Sequence, residues 1–164
     1  MERPVWSLRL AKEDFKFSAA HFTLFGPAAA ERLHGHNYLL QLEVEGEELD
    51  EAGLLADTDA LKRRARELCA ELDDRVLLPE RSPWLEIRAE PDTVTVRFGE
   101  RDYRLPADEV VLLPLVNTSM ELLARWAWRA LAVDLASPRL RRLSVEIIEA
   151  AGQSSRYSAL LQPR

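Results

Sequence analysis

The 164-residue chain holds one cysteine, three histidines and two methionines, and no apolar run near the 20 residues needed to span a bilayer. The lone Cys69 excludes an intramolecular disulfide and any metal site built mainly on thiolates. It is expected at the edge of a helix's apolar stripe, in a packing role. Positive charge is also scarce: 22 Lys and Arg stand against 28 Asp and Glu, a net charge of −6, with no basic cluster interleaved with aromatics. That argues against a nucleic-acid partner. Low-complexity tracts, solenoid-period repeats and interdomain linkers are missing as well. The start, MERPVWSLRL, lacks the basic segment, continuous apolar stretch and small-residue cleavage site of a secretory signal, so a cytoplasmic location and no membrane partner are expected. At 47% apolar and 30% charged, the chain suits one globular domain, taken as 1–164.

Periodicity places the elements. Trp6 to Phe22 reads as a strand pair or one long bent strand, with Leu8 and Leu10 in one phase, Phe15, Phe17 and Ala19 in the other, and a bulge near residues 11–14 between them. After the Gly-Pro loop FGPAAAERL, the segment from His34 to Val44 alternates most clearly. His34, His36, Tyr38, Leu40, Leu42 and Val44 point inward, against Asn37, Gln41, Glu43 and Glu45. Leu61, Ala65, Leu68 and Leu72 share one side of a helix over Asp57–Leu72. The stretch 84–113 breaks into the β-like pieces WLEIRAE, TVTVRFG, DYRLP and EVVLLP at Pro-Asp and Gly-Glu turns, and reads as a β-excursion on the main fold. Thr118 opens a second amphipathic helix with Leu122, Leu123, Trp126, Ala130 and Val133 as its stripe, and Leu143–Glu149 and Arg156–Leu161 close the chain as strands. Tight connections between these elements suit an α+β class with antiparallel pairing.

All three histidines fall within sixteen residues, on strand positions. His34 and His36, two apart, face one side, and His21 shares the phase of Phe15, Phe17 and Ala19. Neighbouring strands could join the three. Three neutral imidazoles that leave a fourth position open are the ligand set of a catalytic Zn²⁺, although iron or nickel would also accept them, and singly each could be a buried or surface histidine with a hydrogen-bond partner.

The segments FKFSAAHF (15–22), ERLHGHNY (31–38), GLLADTDALK (53–62) and NTSMELLARWAW (117–128), with the late Glu149, resemble the 6-pyruvoyltetrahydropterin synthase family, which includes 6-carboxytetrahydropterin synthase. Only 84–113 falls outside the family's common pattern. The resemblance implies the tunnelling fold, an antiparallel four-stranded sheet with two helices on one face. It further implies zinc on His21, His34 and His36, a pterin triphosphate substrate, and a hexamer built as a dimer of trimers with active sites between subunits.

Two of the family's catalytic groups are missing. Ala30 stands where the cysteine lies four residues before the first histidine of HGH, and Leu72-Asp73-Asp74 replaces the family's Leu-Asp-His. Asp73 and Asp74 are what remains of that catalytic pair. Glu31, three residues before His34, resembles the variant branch, known from malaria parasites and some bacteria, in which a glutamate replaces the cysteine. That branch converts 7,8-dihydroneopterin triphosphate to 6-hydroxymethyl-7,8-dihydropterin, a folate precursor. Alternatives are a 6-pyruvoyl or 6-carboxy product from the same substrate, or a non-catalytic zinc and pterin binder in which Glu31 is a solvated charge beside Arg32. Glu149 continues the phase of Leu143, Val145 and Ile147, so a carboxylate takes an apolar position unless it lies beyond the buried end of the strand. In the family it anchors the pterin ring by accepting from its N–H and amine. By the same resemblance Glu121, Ser119 and Thr118 line the pterin pocket, while Thr118 and Glu121 also have capping-box spacing. Lys16, Arg32 and Arg156 are candidates to meet the triphosphate.

Overall fold

The computed structural model describes residues 5–133, 135 and 137–161. In chain order the elements are β1 (Trp6–Leu10), β2 (Lys16–His21), β3 (His34–Gly46), α1 (Thr58–Leu72), β4 (Arg75–Pro79), β5 (Glu86–Ala89), β6 (Thr93–Phe98), β7 (Arg101–Pro106), a 3-10 turn (Ala107–Glu109), β8 (Val110–Leu113), α2 (Met120–Ala132), β9 (Leu140–Ala150) and β10 (Gln153–Leu160).

The long alternation of β3 makes it the spine of the main sheet. Along one edge run β1 and then β2, with Leu10 opposite Leu42 and Lys16 opposite Leu39, so residues 11–15 hump out against Leu40 and Gln41. Phe15 closes the hump, its N–H donating to the Lys12 carbonyl at 3.1 Å and its own carbonyl accepting from Leu40 N–H at 2.8 Å. Of the two readings of this segment, the strand pair holds, β1 and β2 around a bulge, and the bulge resets the phase so that Phe15, Phe17, Ala19 and His21 are all buried. The other edge of β3 pairs antiparallel with β9, and β9 with β10. Both helices pack on one face, where Leu61, Leu68, Leu123 and Leu131 join Tyr38, Leu40, Leu42, Leu143 and Val145 in the principal core.

The sheet is larger than four antiparallel strands, and it is mixed. β4 pairs parallel with β2, and β8 parallel with β4. RVLLP carries no period because it is covered on both faces, Leu77 by the helix core and Leu78 by a second core. β8, expected as the end of the excursion, therefore belongs to the main sheet. The excursion proper is the three-stranded antiparallel sheet β5-β6-β7, whose Val94, Val96 and Phe98 pack with Phe22, Leu24 and Leu78.

α1 begins where the sequence places it, with Asp57 as N-cap accepting from Asp59 and Ala60 N–H. Cys69 is buried on its inner side, and burial followed by the Asp73 and Asp14 charges pushes the thiol up to about 12, which makes it a neutral packing group. α2 starts later than expected. Its N-cap is Ser119, with no side-chain cap bond, so Thr118 lies one residue too early to be the cap of a Thr118–Glu121 box; its hydroxyl donates to the Phe22 carbonyl at 3.2 Å. Leu123, Ala124, Ala127 and Leu131 form its buried stripe; Val133, beyond the helix end, is 59% exposed. No helix of the described residues is long and apolar enough to cross a membrane.

Gly46 ends β3 where the register against β9 slips, and a Cβ there would run into the Arg139 carbonyl and lie 2.9 Å from Leu55 Cδ1. Because the obstacle is backbone, Gly46→Ala should lower the unfolding free energy by about 1–3 kcal/mol. The reading is a lower denaturant midpoint at unchanged slope, and an unaltered midpoint would refute the packing argument.

Candidate metal centre

Antiparallel pairing of β2 with β3 sets His21 opposite His34 and Ala19 opposite His36, so three imidazoles meet on the inward face at the open end of the two strands. Ring centroids are 4.9 Å apart for His21 and His34, 5.4 Å for His21 and His36, and 4.6 Å for His34 and His36. From the far end of β9, Glu149 brings Oε1 to 3.2 Å from His21 Nε2 and 3.0 Å from His36 Nε2. One ligand atom from each of these four residues lies within 4.8 Å of the others, and together they could hold a metal ion.

Backbone carbonyls orient two of the rings. His21 Nδ1 is 3.0 Å from the Thr118 carbonyl and His34 Nδ1 is 2.8 Å from the Arg32 carbonyl. A carbonyl only accepts, so Nδ1 carries the proton in both rings and the Nε2 lone pair is left for a ligand. His21 is 2% exposed, and burial, against the opposing pull of the Thr118 carbonyl and Glu149, holds its pKa below the ordinary value. It is neutral, as a ligand must be. Its Nε2 is buried without a hydrogen-bond partner despite the nearby Glu149, an orphaned lone pair that fits a bound cation.

Glu149 is 9% exposed on its side chain; Oε1 accepts from the Tyr38 hydroxyl at 3.3 Å and Oε2 from Gln153 Nε2 at 3.0 Å. Burial first, then the Glu149 charge, drives the Tyr38 phenol pKa upward, so Tyr38 stays a neutral donor.

Glu31 lies beside this group. Its carboxylate Oε2 accepts from Thr23 N–H at 2.9 Å, and its own N–H donates to the Thr23 carbonyl at 3.0 Å. Partial burial works to raise its pKa, but the Thr23 hydrogen bonds outweigh it and hold the carboxyl below its ordinary value.

The remaining candidates spread out. Asp73 and Asp74 do not belong to the histidine group: Asp73 Oδ1 accepts from Ser18 N–H at 2.7 Å, and Asp74, at φ 55°, donates its N–H to the Ser18 carbonyl at 2.7 Å. Asp74 does line a cavity of about 360 Å³ with His36 and Asn37. Thr118 is fully buried and acts through its carbonyl on His21; Ser119 is half-buried and Glu121 exposed at the start of α2. Arg156 is paired with Glu43 on the outward side of the sheet, Lys16 is exposed, and Arg32 contributes its carbonyl to His34.

Two residues matter here that the sequence did not single out. Asn117 uses both ends of its amide on Leu24, Nδ2 donating to the carbonyl at 2.9 Å and Oδ1 accepting the N–H at 3.1 Å. Arg101 donates to the Glu31 and Ala30 carbonyls at 2.6 and 3.3 Å. Only the Asn-Thr pair before a helix hinted at the first. The second spans 70 residues and left no local signal.

Residues 9–159 match the family described as 6-pyruvoyl tetrahydropterin synthase. A Methanocaldococcus jannaschii protein named "Putative 6-carboxy-5,6,7,8-tetrahydropterin synthase" is 27% identical over 150 residues, 90% of this chain and 91% of its own length. The crystal structure of 6-pyruvoyl tetrahydropterin synthase from Plasmodium vivax superposes with a TM-score of 0.89 at 25% identity, covering 96% of this chain and 99% of that one. A variant of the P. vivax enzyme in which the catalytic residue, a glutamate, is replaced by alanine superposes equally well at 24% identity. The share of this chain left uncovered is too small to hold 84–113, so the excursion has a counterpart in the P. vivax fold. With its tunnelling-fold architecture and a match over nearly its whole length, the chain belongs to the 6-pyruvoyl tetrahydropterin synthase family.

Proposed function

We propose that the chain is a zinc-dependent lyase converting 7,8-dihydroneopterin triphosphate to 6-hydroxymethyl-7,8-dihydropterin, with Glu31 as the proton-transfer group. The observation that carries this is a pinned, ionised carboxylate beside three convergent imidazoles, where the family's thiol is replaced by Ala30. The P. vivax enzyme likewise has a glutamate as its catalytic residue.

His21, His34 and His36 would hold the ion. Bound zinc supplies Lewis acidity that lowers the pKa of the vicinal side-chain hydroxyls. Glu31, with Oε2 on Thr23, takes the proton of the second hydroxyl through Oε1. The bond between the first two side-chain carbons then breaks, the second carbon becomes an aldehyde, and the dihydropterin ring carries the electron pair until a proton returns to the first carbon. Glu149 anchors the ring edge through a forked pair of hydrogen bonds, with Tyr38 and Gln153 steering its carboxylate. Asp73 braces Ser18 and Asp74 adjoins His36 through the shared cavity. The working form in this reading is the cytoplasmic hexamer of the family. The approach of Glu149 Oε1 to two imidazoles favours one rival role for that residue, as a fourth metal ligand.

Incubation with dihydroneopterin triphosphate and chromatography of the products separates the possibilities. Wild type should give the hydroxymethyl product and Glu31→Gln should lose it by about a hundredfold or more. A carboxy or pyruvoyl product would overturn the reading, and pterin binding without turnover would favour a non-catalytic binder. His34→Ala should lose bound zinc in elemental analysis of the purified protein; full occupancy would reject the ligand assignment. Glu149→Gln should keep its zinc and raise KM by about tenfold or more, whereas loss of metal would make it a ligand. In wild type the acid limb of the pH–rate profile should fall below 4.5, the ordinary value for the carboxyl, because Glu31 stays ionised until more acidic pH. A limb near neutrality would point to a different base.

A further inference from the structure

We propose that the sheet β5-β6-β7 braces the loop that carries Glu31, and that Arg101 is the positioning residue through which it does so; this rests on the reading of Glu31 as the proton-transfer group. The loop between β2 and β3 is tied on one side by Asn117 on Leu24 and Thr118 on Phe22. Within itself it closes through the Leu24–Ala30 bridge, Phe25 N–H to the Ala29 carbonyl at 2.8 Å, and the paired contacts of Glu31 with Thr23. Its other side presents two successive carbonyls, Ala30 and Glu31, and one guanidinium takes both. The planar fork of arginine fits two adjacent acceptors in a way that a lysine ammonium does not.

The guanidinium is itself located. Gly99, at φ +58°, turns β6 into β7 so that Arg101 pairs with Phe98, and the Arg101 guanidinium lies 5.9 Å from the Phe98 ring centroid. Phe98 is buried with Phe22 and Leu24, residues of the loop being held. Brace and loop thus share one apolar cluster, and the hydrogen-bonding fork projects from it onto the Glu31 backbone. Held at its carbonyl by Arg101 and at its N–H and carboxylate by Thr23, Glu31 is fixed from both sides.

Two measurements on the intact protein test this. Hydrogen exchange should speed up in residues 23–33 of Arg101→Ala, by about tenfold, with the β3 and α1 core unaltered. Its kcat should fall about tenfold, with KM and bound zinc within twofold of wild type. Arg101→Lys, which keeps the charge and stem but not the fork, should fall between the two. Arg97→Ala, which removes an ion pair to Glu86 on the same small sheet, should behave as wild type in both assays. Unchanged exchange in 23–33 would overturn the brace, and faster exchange with unchanged kcat would overturn the positioning role. Full activity in Glu31→Gln would remove the catalytic reading instead, and the exchange data would still decide whether the brace exists.

Discussion

The hydrogen bond from His21 Nδ1 to the Thr118 carbonyl ties the end of β2 to the corner that starts α2, and the site is assembled from that tie. A buried imidazole without a partner is costly, and a carbonyl partner fixes both the tautomer and the direction of the free lone pair. The same corner reaches further. Thr118 Oγ1 holds Phe22, the Asn117 amide holds Leu24, and Thr23 between them holds both ends of Glu31. An imidazole of the candidate metal group and a carboxylate therefore take their places from one pair of residues, and a shift of the corner moves both together.

Two carboxylates at this site are set apart by their surroundings. Glu31 sits in a half-buried loop and accepts a backbone N–H, which keeps it ionised. Glu149 is almost enclosed, against two imidazoles and a phenol that remains protonated. In the proposed reaction the first would exchange a proton and the second would hold the ring edge.

Much of this was legible in the sequence wherever one face of an element is wet and the other dry. The alternation of β3 shows its register, and that register alone places His34 and His36 on the inward side; the stripe of α1 and its Asp57 cap were equally plain. β4 was not, because Leu77 and Leu78 are covered by two different cores, which erases the period. The start of α2 differs by one residue because spacing shows that Thr118 can cap, not that the helix begins after Ser119 while the Thr118 hydroxyl reaches Phe22, 96 residues away. The histidines stood out as one residue type clustered in sequence and Glu31 through the family resemblance, whereas Asn117 and Arg101 act through backbone groups of distant residues, a contact that no local pattern encodes.

Seen from β4, the excursion follows from the mixed sheet. Adding β4 and β8 in parallel to β2 extends the sheet past the histidine-bearing strands and turns Leu78 outward to a second core. That core needs a cover, and β6 supplies it with Val94, Val96 and Phe98, in contact with Phe22 and Leu24 of the long connection between β2 and β3. Antiparallel register fixes the two ends of that connection, at His21 and His34, but not its middle, where Glu31 lies. The middle is held instead by side chains arriving from residues 101 and 117, one on the Ala30 and Glu31 carbonyls and the other on Leu24. A site built partly on a loop gains the precision of a strand only when separate elements grip the loop in this way, and here the gripping elements exist because the sheet was widened beneath them.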